Sequence, residues 1–171
     1  MAQIDYTQLT SKGMVPNGIY TVLIQKVDNS PSAKKGTPQT AFTLEIVAPA
    51  VKHFAGVDYE TAGQTCEKKT WWTDKAMARI IDMCVKDFGM PKMETTEAFQ
   101  EALLALDKCY IDAVLESRER VKRETPAEGQ MPWDAPEIRD DKGQIVTDGW
   151  EITNVTFRPG TLRKADGTQP W

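Results

Sequence analysis

A single histidine, His53, and three scattered cysteines, Cys66, Cys84 and Cys109, are the whole supply of imidazole and thiol in this 171-residue sequence. The odd number and wide spacing of the cysteines fit reduced, buried thiols rather than a disulfide framework or a C-x-x-C metal site. His53 has no nucleophile near it in sequence, and the motifs G-x-S-x-G, H-E-x-x-H and the P-loop are all missing. The expectation is a structural histidine and a protein that is not an enzyme and uses neither metal nor cofactor. Long apolar runs are missing too: nothing approaches the roughly 20 residues needed to cross a bilayer. The start, Met1-Ala2-Gln3-Ile4-Asp5-Tyr6, lacks the basic and then apolar layout of a secretory signal. This points to a cytoplasmic protein without membrane contact.

Positive charge is in deficit, with 21 Lys and Arg against 25 Asp and Glu and a net charge of -4. A surface that is basic all over is thereby excluded, so any nucleic-acid site must be a local patch. Acidic residues crowd the stretch 124–148, among them Glu128, Asp134, Glu137, Asp140, Asp141 and Asp148, which leaves cations relatively concentrated elsewhere. Such carboxylates invite comparison with a Mg²⁺-dependent nuclease, but that chemistry needs them held rigidly near a phosphate. A stretch broken by Pro126, Pro132 and Pro136 is a poor holder.

What is present reads as one domain over 1–171, mainly β. After the turn signal Val15-Pro16-Asn17-Gly18, the run 19–27 is rich in β-branched and aromatic residues and predicts a first strand. A loop over 28–38 follows. A second strand over 41–47 has Phe42, Leu44 and Ile46 on one face and Thr43 and Glu45 on the other. Residues 49–63 read as a loop and 65–73 as a third strand.

Thr73 or Asp74 can cap a helix with Met77, Ile80, Ile81, Cys84, Val85 and Phe88 at helical spacing, stopped by Gly89 and Pro91. A shorter helix starts at Thr96. Strand alternation returns over 108–121, where Cys109, Ile111, Ala113 and Leu115 share a face. The polar connection 124–148 is longer than loops usually are, and so either functional or mobile. The last strand, 150–157, slips its alternation between Ile152 and Val155, the mark of a β-bulge. A short tail follows from about 159.

Three strands, one or two helices and two further strands is the layout of the OB fold, a five-stranded Greek-key barrel that binds oligonucleotides or oligosaccharides. A β-sandwich or an α+β meander is the alternative. Single-strand binding needs cations for phosphates and flat side chains on which bases stack. The third strand holds both: Lys68 and Trp72 point to one face, Lys69 and Trp71 to the other. One tryptophan must be core, and the other either stacks a base or wedges against the helix that follows. Lys34 and Lys35 lie where OB loops grip a backbone, although a lysine pair beside Gly36 also suits a plain solvated loop. Arg118, Arg120 and Lys122 share a face of the fourth strand, as phosphate contacts or as charges protecting an edge. Trp133, between Pro132 and Asp134, is an exposed aromatic fit for a partner, a lid or a base.

The stretches Val15 to Val22, Lys34 to Val47 through Gly36, Pro38 and Phe42, and Trp72-Thr73-Asp74-Lys75-Ala76 resemble the small bacteriophage single-stranded-DNA-binding proteins of OB type. The resemblance covers about residues 15–90, with an echo at 108–121. It implies binding of single-stranded DNA without sequence preference, in the replication or recombination of phage DNA inside the host cell. Phage or host replication and recombination proteins would be partners, and self-association would lengthen the binding track. Members of this group often end in an acidic tail that recruits other proteins, whereas the segment Thr161 to Trp171 is not acidic. A phage protein-binding module, such as a host-defence inhibitor, a DNA mimic or a structural accessory factor, is the rival reading. A positive groove with an exposed tryptophan separates the first from a continuous acidic face with buried aromatics.

Overall fold

A computed structural model describes residues 14–171. The leader reading at Met1–Tyr6 lies outside the described residues. Among the described residues seven strands form: β1 (Gly18–Asp28), β2 (Gln39–Ala48), β3 (Val51–Phe54), β4 (Val57–Glu60), β5 (Thr65–Trp71), β6 (Tyr110–Val121) and β7 (Thr147–Phe157). Two helices, α1 (Met77–Asp82) and α2 (Thr96–Leu103), lie between β5 and β6. No described helix is long and apolar enough to cross a membrane.

Five strands make one antiparallel sheet in the order β5-β2-β1-β6-β7. Every ladder is antiparallel, so the two edge strands β5 and β7 run in the same direction. The expected alternation selects the inner face. Val22 and Ile24 of β1, Phe42, Leu44 and Ile46 of β2, and Ile111, Ala113 and Leu115 of β6 are all buried. At roughly 25 cal/mol per Å² of apolar surface removed from water, this face is the main source of stability. The bulge expected in the last strand is present: Asn154 pairs with Glu116 but Ile152 with Ser117, which leaves Thr153 unmatched.

The sheet is not closed into a barrel, and this corrects part of the expected fold. No ladder joins β5 to β7. In register, Lys68 of β5 stands directly opposite Phe42 of β2, so its side chain shares the inner face. It crosses the gap between the edges and donates from Nζ to the Val155 carbonyl at 2.6 Å. A long side chain thus occupies the space a ladder would need. Phe157 fills the gap beneath, with its ring centroid 5.8 Å from Phe42 and 5.2 Å from Phe88.

A second correction concerns 49–63. In place of a loop, β3 and β4 form a hairpin whose two turn residues, Ala55 and Gly56, have φ of 51° and 79°. Two consecutive positive φ values are the pattern of the tight turns that match strand twist. The Lys52 ammonium, 4.9 Å from the centroid of the Tyr20 ring, ties this ribbon to the sheet.

The helices follow the sequence with shifts at their ends. Thr73 Oγ1 accepts from the Ala76 amide at 3.3 Å, opening the turn before α1, and the chain continues from α1 as a π-helical turn over Met83–Asp87. Ile80, Cys84 and Phe88 face the core. The cap of α2 is Thr95, one residue before the expected Thr96, and its Oγ1 accepts from the Ala98 amide at 3.1 Å.

Candidate nucleic-acid interface

The inward phase of Lys68 fixes the rest of β5. Trp72 falls on the inner side, 6% exposed, stacked on Phe99 and donating from Nε1 to Thr40 Oγ1 at 2.9 Å. It is a core residue, which removes it as a stacking candidate. Trp71, on the opposite face, is 46% exposed. The Trp72 bond continues inward: Thr40 donates to Asn29 Oδ1 at 2.7 Å, and Asn29 Nδ2 donates to the Gln100 carbonyl at 2.7 Å. This relay of satisfied polar groups pins the root of the loop 29–38 to α2. Within that loop the Ser32 amide donates to Thr37 O at 2.9 Å and the Gly36 amide to Ser32 O at 2.9 Å, so Lys34 and Lys35 sit on a closed turn.

The connection 122–146 is also ordered by its own bonds. Arg123 donates to the Ala135 carbonyl at 2.8 Å and pairs with Glu137 at 3.5 Å, and Arg139 meets the same carboxylate at 3.6 Å. Ala135 is buried. The short 3₁₀ turn Pro132–Asp134 is thereby held in place, with Trp133 64% exposed. The two loops meet where Lys34 Nζ lies 3.7 Å from Met131 Sδ.

Between these elements runs a groove of about 1580 Å³. The loop 29–38 contributes Lys34 and Lys35, and β5 contributes Lys68, Lys69 and Trp71. Lys75, Arg79 and Lys86 come from the helical segment, Asn154, Thr156 and Phe157 from β7, and Met131 to Trp133 from the long connection. Seven cations therefore face three carboxylates, Asp28, Asp82 and Asp87, in a chain whose net charge is -4. Two exposed tryptophans stand among the cations. Lys68 is the least hydrated of these cations: burial and then the nearby Arg79 lower its pKa, with Asp87 opposing.

Lys34, Lys35, Lys68, Lys69 and Trp71 are thus brought together. Arg118, Arg120 and Lys122 are not among the groove residues. Arg118 pairs with Glu151 at 3.4 Å and Arg120 donates to the Asp148 carbonyl at 3.0 Å, along the end of the β6–β7 ribbon. Sequence reasoning missed Lys75, Arg79 and Lys86 as groove residues. Their spacing carried the signal, because positions 75, 79, 82 and 86 recur at three and four in sequence, with Arg79 and Asp82 in α1, Lys75 in the turn before it and Lys86 in the π-helical turn after it.

The groups weighed for catalysis lie elsewhere. His53 is exposed on the hairpin, 2.7 Å from Asp58 across the ribbon. Burial pushes the Cys66 thiol up to about 11 and the Cys84 thiol up to about 12, which keeps both protonated and poorly nucleophilic near neutral pH. Compared with known protein families, curated proteins and solved structures, the chain shows no match.

Proposed function

We propose that this chain binds single-stranded DNA without marked sequence preference, as a non-enzymatic protein built on an OB-type fold. The observation that carries the reading is the reversal of charge in the groove, seven cations against three carboxylates in an acidic chain, with Trp71 and Trp133 exposed among them. Cations track phosphates, and exposed rings take the faces of unpaired bases, which a duplex keeps stacked. The strand order supports the fold assignment. Numbering the sheet strands 1 to 5 along the chain gives the order 3-2-1-4-5, with strands 3 and 5 running in the same direction across the open seam. OB folds bind ligands at strands 2 and 3 with the loops between strands 1 and 2 and between strands 4 and 5. Here those parts are β2, β5, the loop 29–38 and the connection 122–146. Together with the local resemblance to phage proteins, this gives a role in protecting or organising single strands during phage replication or recombination. Partner proteins of that machinery and self-association belong to the same reading.

The direct test is binding of a fluorescent oligo-dT and of a duplex of equal length at two salt concentrations. Binding should favour the single strand and weaken with salt at a slope of about −4, the value for roughly six phosphate contacts to a single strand. Failure to bind at low salt would discard the DNA role and direct attention to protein partners.

The stacking assignment has its own measurement. Trp71→Ala and Trp133→Ala should each weaken oligo-dT binding by about 1–3 kcal/mol. Both side chains are exposed, so thermal unfolding should stay near that of the parent. Intrinsic fluorescence quenching on adding DNA should shrink with each ring removed. Unchanged affinity in both variants would remove stacking from the account while leaving the cations.

A further inference from the structure

The walls of the groove join into a ring. The loop 29–38 leads into β2, and β2 is laddered to β5. From β5, Lys68 reaches the Val155 carbonyl of β7 at 2.6 Å. Strand β7 pairs with β6, and from the end of β6 the connection 122–146 leads out to a turn over 127–134. There Met131 Sδ lies 3.7 Å from Lys34 Nζ, which returns the circuit to the loop 29–38. Loop, strands and turn all contribute residues to the groove.

The links of this ring are unequal. Lys68 is partly buried and lies over the Phe157 ring. The root of the turn is fixed by the Arg123 bond to Ala135, which is buried, and by the Glu124 amide donating to the Pro136 carbonyl at 2.9 Å. Beyond that root the turn is built on its own bonds, the Gln130 amide donating to the Ala127 carbonyl at 2.9 Å and Gln130 Nε2 to the Asp134 carbonyl at 3.2 Å. Among the described residues the Lys34–Met131 contact is the one hydrogen bond or ion pair between turn and loop. It is exposed, and a thioether is a weak acceptor. The ring therefore has one weak link, and that link joins two walls of the groove.

We propose that the turn 127–134 is a clasp over the groove, which opens at the Lys34–Met131 contact to admit a single strand and closes with the strand enclosed by the ring. The inference rests on the single-strand reading and deepens it. A phosphate is a far stronger acceptor for Lys34 than a thioether, so an arriving backbone competes directly for the closing contact. Contacts between cations and phosphates carry no base preference and are screened by salt. Enclosure adds to them a hold that any sequence feels equally, because it acts on the path of the backbone and not on base edges.

The experiment joins Lys34→Cys to Met131→Cys in the full chain with a short bis-maleimide, intact mass confirming a single linker. The parent treated alike controls for Cys66, Cys84 and Cys109. The probes are a covalently closed circle of oligo-dT and a linear oligo-dT of the same length. Unlinked, the variant should bind both. Linked before DNA is added, it should still take the linear strand by its end and lose the circle. Linked after the circle is loaded, it should keep the circle through a high-salt wash that strips the unlinked protein, since salt releases phosphate contacts but leaves a covalent ring closed. The clasp is overturned if the linked protein binds the circle as well as the linear strand, if a loaded circle washes off it, or if the two cysteines cannot be joined. Where the linked protein takes neither shape, the loaded circle decides. Where the cysteine pair itself abolishes binding, Ala33→Cys with Pro132→Cys, from the same two walls, repeats the test without removing a cation. In all these cases the single-strand reading stands, because the parent binds. If the parent binds neither probe, that reading has failed and the clasp fails with it.

Discussion

Changing Lys69, Lys75 and Arg79 together to Ala should weaken oligo-dT binding by about 10- to 100-fold at low salt, taking each exposed charge contact at the modest worth such pairs have in water. The salt slope should flatten by about two units, since each phosphate contact to a single strand contributes about 0.7. The three residues are chosen because they line the groove from two elements and are exposed, so their loss does not open the core. Lys69 lies 3.8 Å from Glu67, an exposed pair that costs little to break. Arg118→Ala with Arg120→Ala is the matched control: these are basic residues that do not line the groove, and they should leave the slope within about half a unit. Equal losses in the two sets would mean that any cation on this surface serves, and the groove would lose its claim as the site. The measurement therefore tests location as well as charge.

The strands of the main sheet were legible because burial on one face imposes a period of two. Phe42, Leu44 and Ile46, and then Cys109, Ile111, Ala113 and Leu115, announce the core face and lie on it. Helix existence was legible for the same reason at the other period, whereas the α2 cap was displaced by one residue because Thr95 and Thr96 are equally good capping side chains. The β3–β4 hairpin was hidden. Neither of its faces is sandwiched, so Val51-Lys52-His53-Phe54 shows no one-sided alternation, and its turn relies on Ala55 at positive φ, where glycine, asparagine or aspartate is the usual signal. The open seam was equally hidden, because it depends on where one lysine side chain ends.

For the site, alternation put Lys68 with Trp72 and Lys69 with Trp71 but could not say which pair faced inward. Only the cross-strand match of Lys68 with Phe42 decides that, and register is a property of two strands. The inward face goes against the usual rule that lysines avoid burial. It is tolerated because the ammonium reaches the Val155 carbonyl and lies 5.6 Å from the centroid of the Phe157 ring. The convergence of a helix face, two loops and two edge strands on one groove is tertiary, and no local pattern in 124–148 foretold that Trp133 would stand opposite Lys34 and Lys35.

Phe157→Ala should have the largest effect on stability, about 3–5 kcal/mol. Phe157 is 2% exposed, meets Phe42 of β2 and Phe88 of the helical segment, and lies under the Lys68 ammonium. Truncation would leave a cavity bounded by strands that no ladder holds together, so both the transfer loss and the cavity term apply. Against a total stability of about 5–15 kcal/mol this is a large share, and thermal unfolding should fall by about 10 °C or more for a domain of this size. Trp133→Ala, an equally large truncation at a 64% exposed position, should shift it by no more than about 2 °C. The comparison separates the two tasks of the aromatic residues around the groove: Phe157 joins the edges of an open sheet from below, and Trp133 offers a face to solvent above. A small loss in Phe157→Ala would mean that β7 does not share its core with β5. Lys68 would then bear the junction alone, and the groove would have no fixed floor on which to hold a strand.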